Sequence, residues 1–122
     1  MGGKGSGRPK GPEKESIRVT YQHENKRHHF SIYIPVDDLD IIEEYCQEHE
    51  IHLRTYAKWL IEKSIRGRWP HLYDMHILKA IWHAYRMSMG KEMSAFLWSV
   101  IRHELEKDAD FQKFKKEYQE VI

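Results

Sequence analysis

Residues 26–35, KRHHFSIYIP, alternate in character: Phe30, Ile32 and Ile34 fall on one side, His29, Ser31 and Tyr33 on the other. Successive side chains of a strand point to opposite faces, so this pattern predicts a half-buried strand with one apolar and one polar face. IRVTY, residues 17–21, alternates in the same way through Ile17, Val19 and Tyr21, and predicts a preceding strand joined to the next through QHEN as a hairpin. No Asn-Gly or Asp-Gly pair marks the turn between them.

Beyond Pro35 the period changes from two to that of a helix. VDDLDIIEEYCQEHE, residues 36–50, places Leu39, Ile42, Tyr45 and Cys46 on one stripe and the acids Asp37, Asp38 and Asp40 at the end where a helix dipole favours them. After the short connection that holds Ile51 and Leu53, TYAKWLIEKSIRGRW predicts a second helix with Tyr56 or Ala57, Leu60, Ile61 and Ser64 or Ile65 inward, ending near Gly67 and before Pro70. HLYDMHILKAIWHAYRMSM predicts a third, with Met75, Leu78, Ile81, Trp82 and Tyr85 on its apolar face and Gly90 as its breaker. MSAFLWSVIRHELEKD gives a fourth through Phe96, Leu97, Val100, Ile101 and Leu105, and DFQKFKKEYQEVI a weaker amphipathic tail whose stripe of Phe111, Phe114 and Tyr118 is expected to pack on a neighbour. Residues 52–65 align without gaps on residues 92–105, pairing Leu53 with Met93, Tyr56 with Phe96, Leu60 with Val100, Ile61 with Ile101 and Ile65 with Leu105. The second half is therefore a candidate degenerate copy of the first.

The expected fold is mainly α with a short N-terminal β-ribbon. Residues 1–16 form a basic arm, 17–68 a strand-and-two-helix domain, and 69–122 a helical C-terminal domain. MGGKGSGRPKGPEKES holds five glycines and two prolines and, after Met1, no large apolar residue, so it cannot offset the entropy of ordering. At 122 residues, 40% apolar and 32% charged, the chain falls among globular proteins. It has no apolar run near the roughly 20 residues of a membrane span. Its single cysteine, Cys46, fits a reducing cytoplasm and a role as a small core residue. The formal charge of +1 conceals segregation: residues 1–35 carry seven bases against three acids, 36–50 seven acids and no base, 51–70 five bases against one acid, and 71–122 eight of each. One face can thus be basic while another is acidic.

Strand, proline, acidic helix, short connection, second helix: over residues 28–66, FSIYIPVDDLDIIEEY and IHLRTYAKWLIEKSI resemble the ribbon-helix-helix family of DNA-binding repressors, the Arc and methionine-repressor group. The likeness covers about a third of the chain. It departs at Glu50, where the family often has Gly, and at His52, where it often has Ser or Thr. The resemblance implies a homodimer in which one strand from each chain pairs antiparallel and the ribbon enters the major groove of double-stranded DNA. In such a regulator the second half would extend the dimer or assemble dimers along an operator. By position relative to Pro35 it makes His29, Ser31 and Tyr33 the base-contacting residues. None of these is the Arg or Asn that reads bases most decisively, so moderate discrimination is expected. The resemblance also sets the first turn of the second helix, Leu53, Arg54 and Thr55, against a phosphate, with Lys26, Arg27 and Lys58 as further phosphate contacts. GRPKG, residues 7–11, resembles the centre of an AT-hook and makes Arg8 and Lys10 candidates for a minor-groove arm. A repressor of this kind would work in the cytoplasm at the nucleoid, without a cofactor.

Three other readings compete. Nine histidines raise a metal site, but His76 and His83 form a weak pair with no supporting Cys or carboxylate, so none is expected. Enzyme chemistry is not expected either, since there is no Gly-rich phosphate loop, nucleophile motif or carboxylate pair. The alternative in a different class is a protein-interaction module, such as an antitoxin or a viral or plasmid adaptor, whose C-terminal helices bind a protein partner. Trp59, Trp69, Trp82 and Trp98 suit either a core or such an interface, with the core as the default.

Overall fold

The computed structural model describes residues 14–72 and 76–121. It is mainly helical, with a two-stranded antiparallel ribbon at its N-terminal end. Strand β1 (Lys14–His23) pairs with β2 (Lys26–Pro35) so that Ile17 faces Ile32 and Val19 faces Phe30. Glu24 and Asn25 form the turn with φ of 49° and 66°. Two residues in left-handed conformation match the right-handed twist of the flanking strands, which is why such turns close two-residue hairpins. Asn25 adopts that conformation readily; Glu24 does so at a cost.

The partner of β2 is thus a strand of the same chain. The pairing between two chains implied by the family resemblance is replaced by an intramolecular one. With it goes the argument that a second copy is needed to cover Phe30, Ile32 and Ile34, which are 8%, 0% and 1% exposed.

Helix α1 (Val36–Glu48) starts directly after Pro35, carries Asp37 and Asp38 in its first turn, and buries Leu39, Ile41, Ile42, Tyr45 and Cys46. It ends where the Ile51 amide donates to the Cys46 carbonyl (2.8 Å) and the Glu50 amide to the Gln47 carbonyl (3.2 Å), with Glu50 left-handed at φ 54°. These bonds are the Schellman arrangement that usually employs glycine. Helix α2 (Leu53–Arg68) is capped by His52, whose Nδ1 accepts from the Arg54 amide at 3.3 Å, in the role Ser or Thr would fill. Both departures from the family pattern therefore keep the expected turn and cap geometry, with unusual residues.

Helices α3 (Ile77–Met87) and α4 (Met93–Lys107) follow. On α3 the buried face is Leu78, Ala80, Ile81 and Ala84. The expected stripe was centred too far round: Trp82 is 42% exposed, and Met75 lies outside the described residues. On α4 the buried residues are Phe96, Leu97, Val100, Ile101, Glu104 and Leu105; on α2 they are Tyr56, Ala57, Leu60, Ile61, Ser64 and Ile65. The two sets correspond one for one at the offset of the sequence echo. In space α2 packs on β1, α4 on β2, and the two helices on each other, while α1 lies against β2 and α3 against β1. An approximate two-fold relating β2–α1–α2 to β1–α3–α4 would give this pattern of contacts.

A single buried cluster runs from Ile17 to Phe111, so residues 69–122 contribute to the same core as 17–68. Helix α5 (Ala109–Val121) folds back on α1 and α4. Asp108 caps it by accepting from the amides of Asp110 (3.0 Å) and Phe111 (3.2 Å). Its expected stripe meets α1 at Tyr45, whose ring lies against Phe111 and Phe114 and whose hydroxyl donates to Asp110 at 3.0 Å.

Candidate nucleic-acid interface

The hairpin has one sealed face and one open face. Its sealed side, Ile17, Val19, Tyr21, Phe30, Ile32 and Ile34, is at most 8% exposed. The other side carries Ser16, Arg18, Thr20 and Gln22 from β1, and Arg27, His29, Ser31 and Tyr33 from β2; all are exposed except Thr20, which is half-buried. Across the ribbon the facing pairs are Ser16 with Tyr33, Arg18 with Ser31, Thr20 with His29 and Gln22 with Arg27. At about 3.3 Å per residue the strip is on the order of 20 Å long. Among these side chains there are two guanidinium groups and no carboxylate.

The sequence-predicted base contacts His29, Ser31 and Tyr33 do stand together on this open face. The sequence reading missed the other strand's share. Alternation through Ile17, Val19 and Tyr21 already implied that Arg18 and Thr20 point away from the core, but a ribbon made from two chains gave β1 no role in the face. Arg18 changes its chemistry most, because a guanidinium can donate two parallel hydrogen bonds to one guanine edge, and Gln22 can bridge an adenine edge. Thr20 Oγ1 and His29 Nδ1 are 2.9 Å apart, which ties the two strands together and leaves Nε2 as the ring nitrogen for an outside partner.

The phosphate candidates are distributed over the hairpin end and the first two turns of α2. Arg27 belongs to the open face. Lys26 is exposed at the hairpin end, opposite His23 and on the same side of the strand as Phe30. Arg54 and Thr55 are exposed and Leu53 is half-buried; since the Arg54 amide is occupied by His52, the amides of Leu53 and Thr55 are those left for an anion. Lys58 is engaged with the sealed face instead: its Nζ lies 5.2 Å from the centre of the Tyr21 ring, and its carbonyl accepts from the Tyr21 hydroxyl at 3.3 Å. Burial first, and then the charge of Glu62, push the Tyr21 phenol far above its ordinary range, so it remains a neutral donor. Arg8 and Lys10 lie outside the described residues.

Helix α4 brings its start to the edge of β2. Ser94 Oγ, in its first turn, accepts from the Tyr33 amide at 3.0 Å, which fixes the start of α4 beside β2. Among the described residues no group of three potential metal ligands comes together; the rings of His76 and His83 rest on His23 and Trp69 respectively. Trp69 and Trp98 are half-buried and pack against the core, as expected, whereas Trp59 (53%) and Trp82 (42%) are exposed. No described helix is long and apolar enough to cross a membrane.

Comparison with known proteins adds no relative: no family model matches the chain, and neither a curated protein nor a solved structure matches it.

Proposed function

We propose that the chain is a sequence-specific double-stranded DNA-binding protein of the ribbon-helix-helix kind, a transcriptional repressor that lays its ribbon in the major groove. The observation that carries this reading is the two-faced hairpin: a sealed apolar side, and an open side of eight polar or basic groups without a carboxylate. The major groove admits a two-stranded ribbon, and these side chains are donors and acceptors suited to base edges. The helix starts at Leu53 and near Ser94 supply amide ends for flanking phosphates, with Arg54 adding charge. No cofactor is needed for this activity.

The test is an anisotropy titration against mixed-sequence duplex, followed by competition between enriched and scrambled duplex at one salt concentration. Replacing His29, Ser31 and Tyr33 together with Ala should leave helicity unchanged and bring specific and non-specific affinity close together, since each base contact is worth about 1–3 kcal/mol of discrimination. Replacing Arg54 with Ala should weaken all duplexes alike and lower the salt slope by about one. A triple variant that keeps its preference would remove the ribbon as reader.

The exposed Trp59, Trp82, Met87 (70%) and Met89 (92%) favour a second reading, a surface for a protein partner. In that case, Trp59→Ala and Trp82→Ala would abolish complex formation while duplex affinity stayed the same.

A further inference from the structure

The buried residues locate the centre of the ribbon. Ile17, Val19 and Tyr21 superimpose on Phe30, Ile32 and Ile34 only when the strands are exchanged about the Arg18–Ser31 pair. On the open face the same exchange matches Ser16 with His29, Arg18 with Ser31, and Thr20 with Tyr33. None of these three pairs matches like with like, although one step further out the exchange sets Lys14 on Arg27, a base on a base, and Gln22 on Pro35. Beyond Thr20 and His29 the strip continues to Gln22 and Arg27, whereas beyond Ser16 and Tyr33 the facing pair is Lys14 with Pro35.

The helix starts that flank the ribbon differ too. His52 caps α2 through its ring, with Arg54 two residues on. Glu92 precedes α4 without a side-chain cap bond, and Ser94 is engaged with β2. A ribbon made of two identical chains must offer identical halves to DNA. One folded from a single chain is free of that constraint, and its halves here carry different hydrogen-bonding groups.

Resting on the DNA-reading function above, we infer that a single chain recognises a duplex site without two-fold symmetry. Arg18 and Ser31 stand over its centre, Thr20, His29, Gln22 and Arg27 over one half, and Ser16 and Tyr33 over the other. The strip spans about six base pairs at 3.4 Å each, so the core site is of that length.

The experiment is selection of binding sites by the full chain from a pool of random duplexes, with stoichiometry on the selected duplex read by sedimentation, and the selection repeated with Gln22→Ala and Tyr33→Ala. The expected result is a non-palindromic consensus bound by one chain. Gln22→Ala should relax the preference at one end of the site and Tyr33→Ala at the other, each by roughly tenfold. A palindromic consensus holding two chains, with each substitution degrading both halves, would overturn the asymmetric site and leave DNA reading standing. If no sequence is enriched, the DNA-reading function itself fails, and the inference with it.

Discussion

Ile32 and Ser31 are neighbours in sequence that the structure assigns to opposite fates, and replacing each with Ala tests both the faces of the ribbon and its closure within one chain. Ile32 is 0% exposed and faces Ile17 across the hairpin. Ile32→Ala removes three carbons, worth about 2.4 kcal/mol of transfer free energy at about 0.8 each. A cavity that collapses only in part adds about 1 kcal/mol or more, for a total near 3–4 kcal/mol. For a domain of this size each kcal/mol lowers the melting midpoint by about 4 °C, so Ile32→Ala should melt about 12–16 °C below the parent. Ser31→Ala, on the open face, should stay within about 0.5 kcal/mol. Circular-dichroism melts of the parent at two concentrations a hundredfold apart complete the assay. A ribbon closed within the chain gives coincident midpoints, whereas one shared between chains gives a midpoint that climbs with concentration. If the midpoint climbs, or Ser31→Ala costs as much as Ile32→Ala, the intramolecular hairpin with this register is wrong.

Other outcomes follow from single groups. Glu50→Gly should raise stability by about 0.5–1 kcal/mol in a urea titration, because φ 54° at the end of α1 suits glycine. His52→Ala should cost about 1 kcal/mol through loss of the α2 cap, and His52→Ser should recover most of it. Burial, then the hydrogen bond to Asp110 and the charges of Asp108 and Asp110, push the Tyr45 phenol up to about 12 from an ordinary 10. The fold therefore holds the proton more tightly than the unfolded chain; the associated stability is fully present below pH 10 and is lost as pH rises towards 12, which urea titrations across that window would register. Burial, with Glu43 nearby, pushes the Cys46 thiol up to about 11, so it should resist a thiol reagent at pH 8 until denaturant unfolds the chain.

The sequence made the faces legible wherever large side chains carried the period. Phe30, Ile32 and Ile34 announced β2, and the inward residues of α2 and α4 were readable from Tyr56 to Ile65 and from Phe96 to Leu105. Helix α3 misled because its buried face includes Ala80 and Ala84, which weigh little in a hydrophobic pattern, while Trp82 weighs heavily and lies partly outside. Trp82 is not idle there, since its ring meets Phe30 edge-on at 6.0 Å. The hairpin turn was hidden for a related reason: Glu24–Asn25 has the backbone of a glycine turn without the glycine. The pairing itself was legible, since residues 17–21 were expected to join the next strand as a hairpin through QHEN, and they do. The family resemblance gave β2 a partner in a second chain instead, and that single choice left Arg18 out of the candidate site.

The correspondence between α2 and α4 breaks in an instructive place. Where α2 buries Ser64, α4 buries Glu104, 2% exposed, with Lys107 Nζ at 2.8 Å from its carboxylate. A carboxylate withdrawn from water needs such a partner, since desolvation otherwise outweighs anything it gains. In an assembly of two identical chains the same glutamate would enter the core twice, and each copy would require its own lysine. Within one chain the charge is admitted once, on the side where Lys107 can reach it, and α2 keeps a small neutral serine. The open face follows the same logic: Arg18 appears over the centre once, opposite a serine instead of a second arginine, so two guanidinium groups are not forced into apposition. Closing the ribbon within one chain thus relaxes a constraint on core and candidate interface together. Residues that would repel or clash with their own symmetry mates become usable, and the two halves can differ in what they bind while sharing one buried cluster.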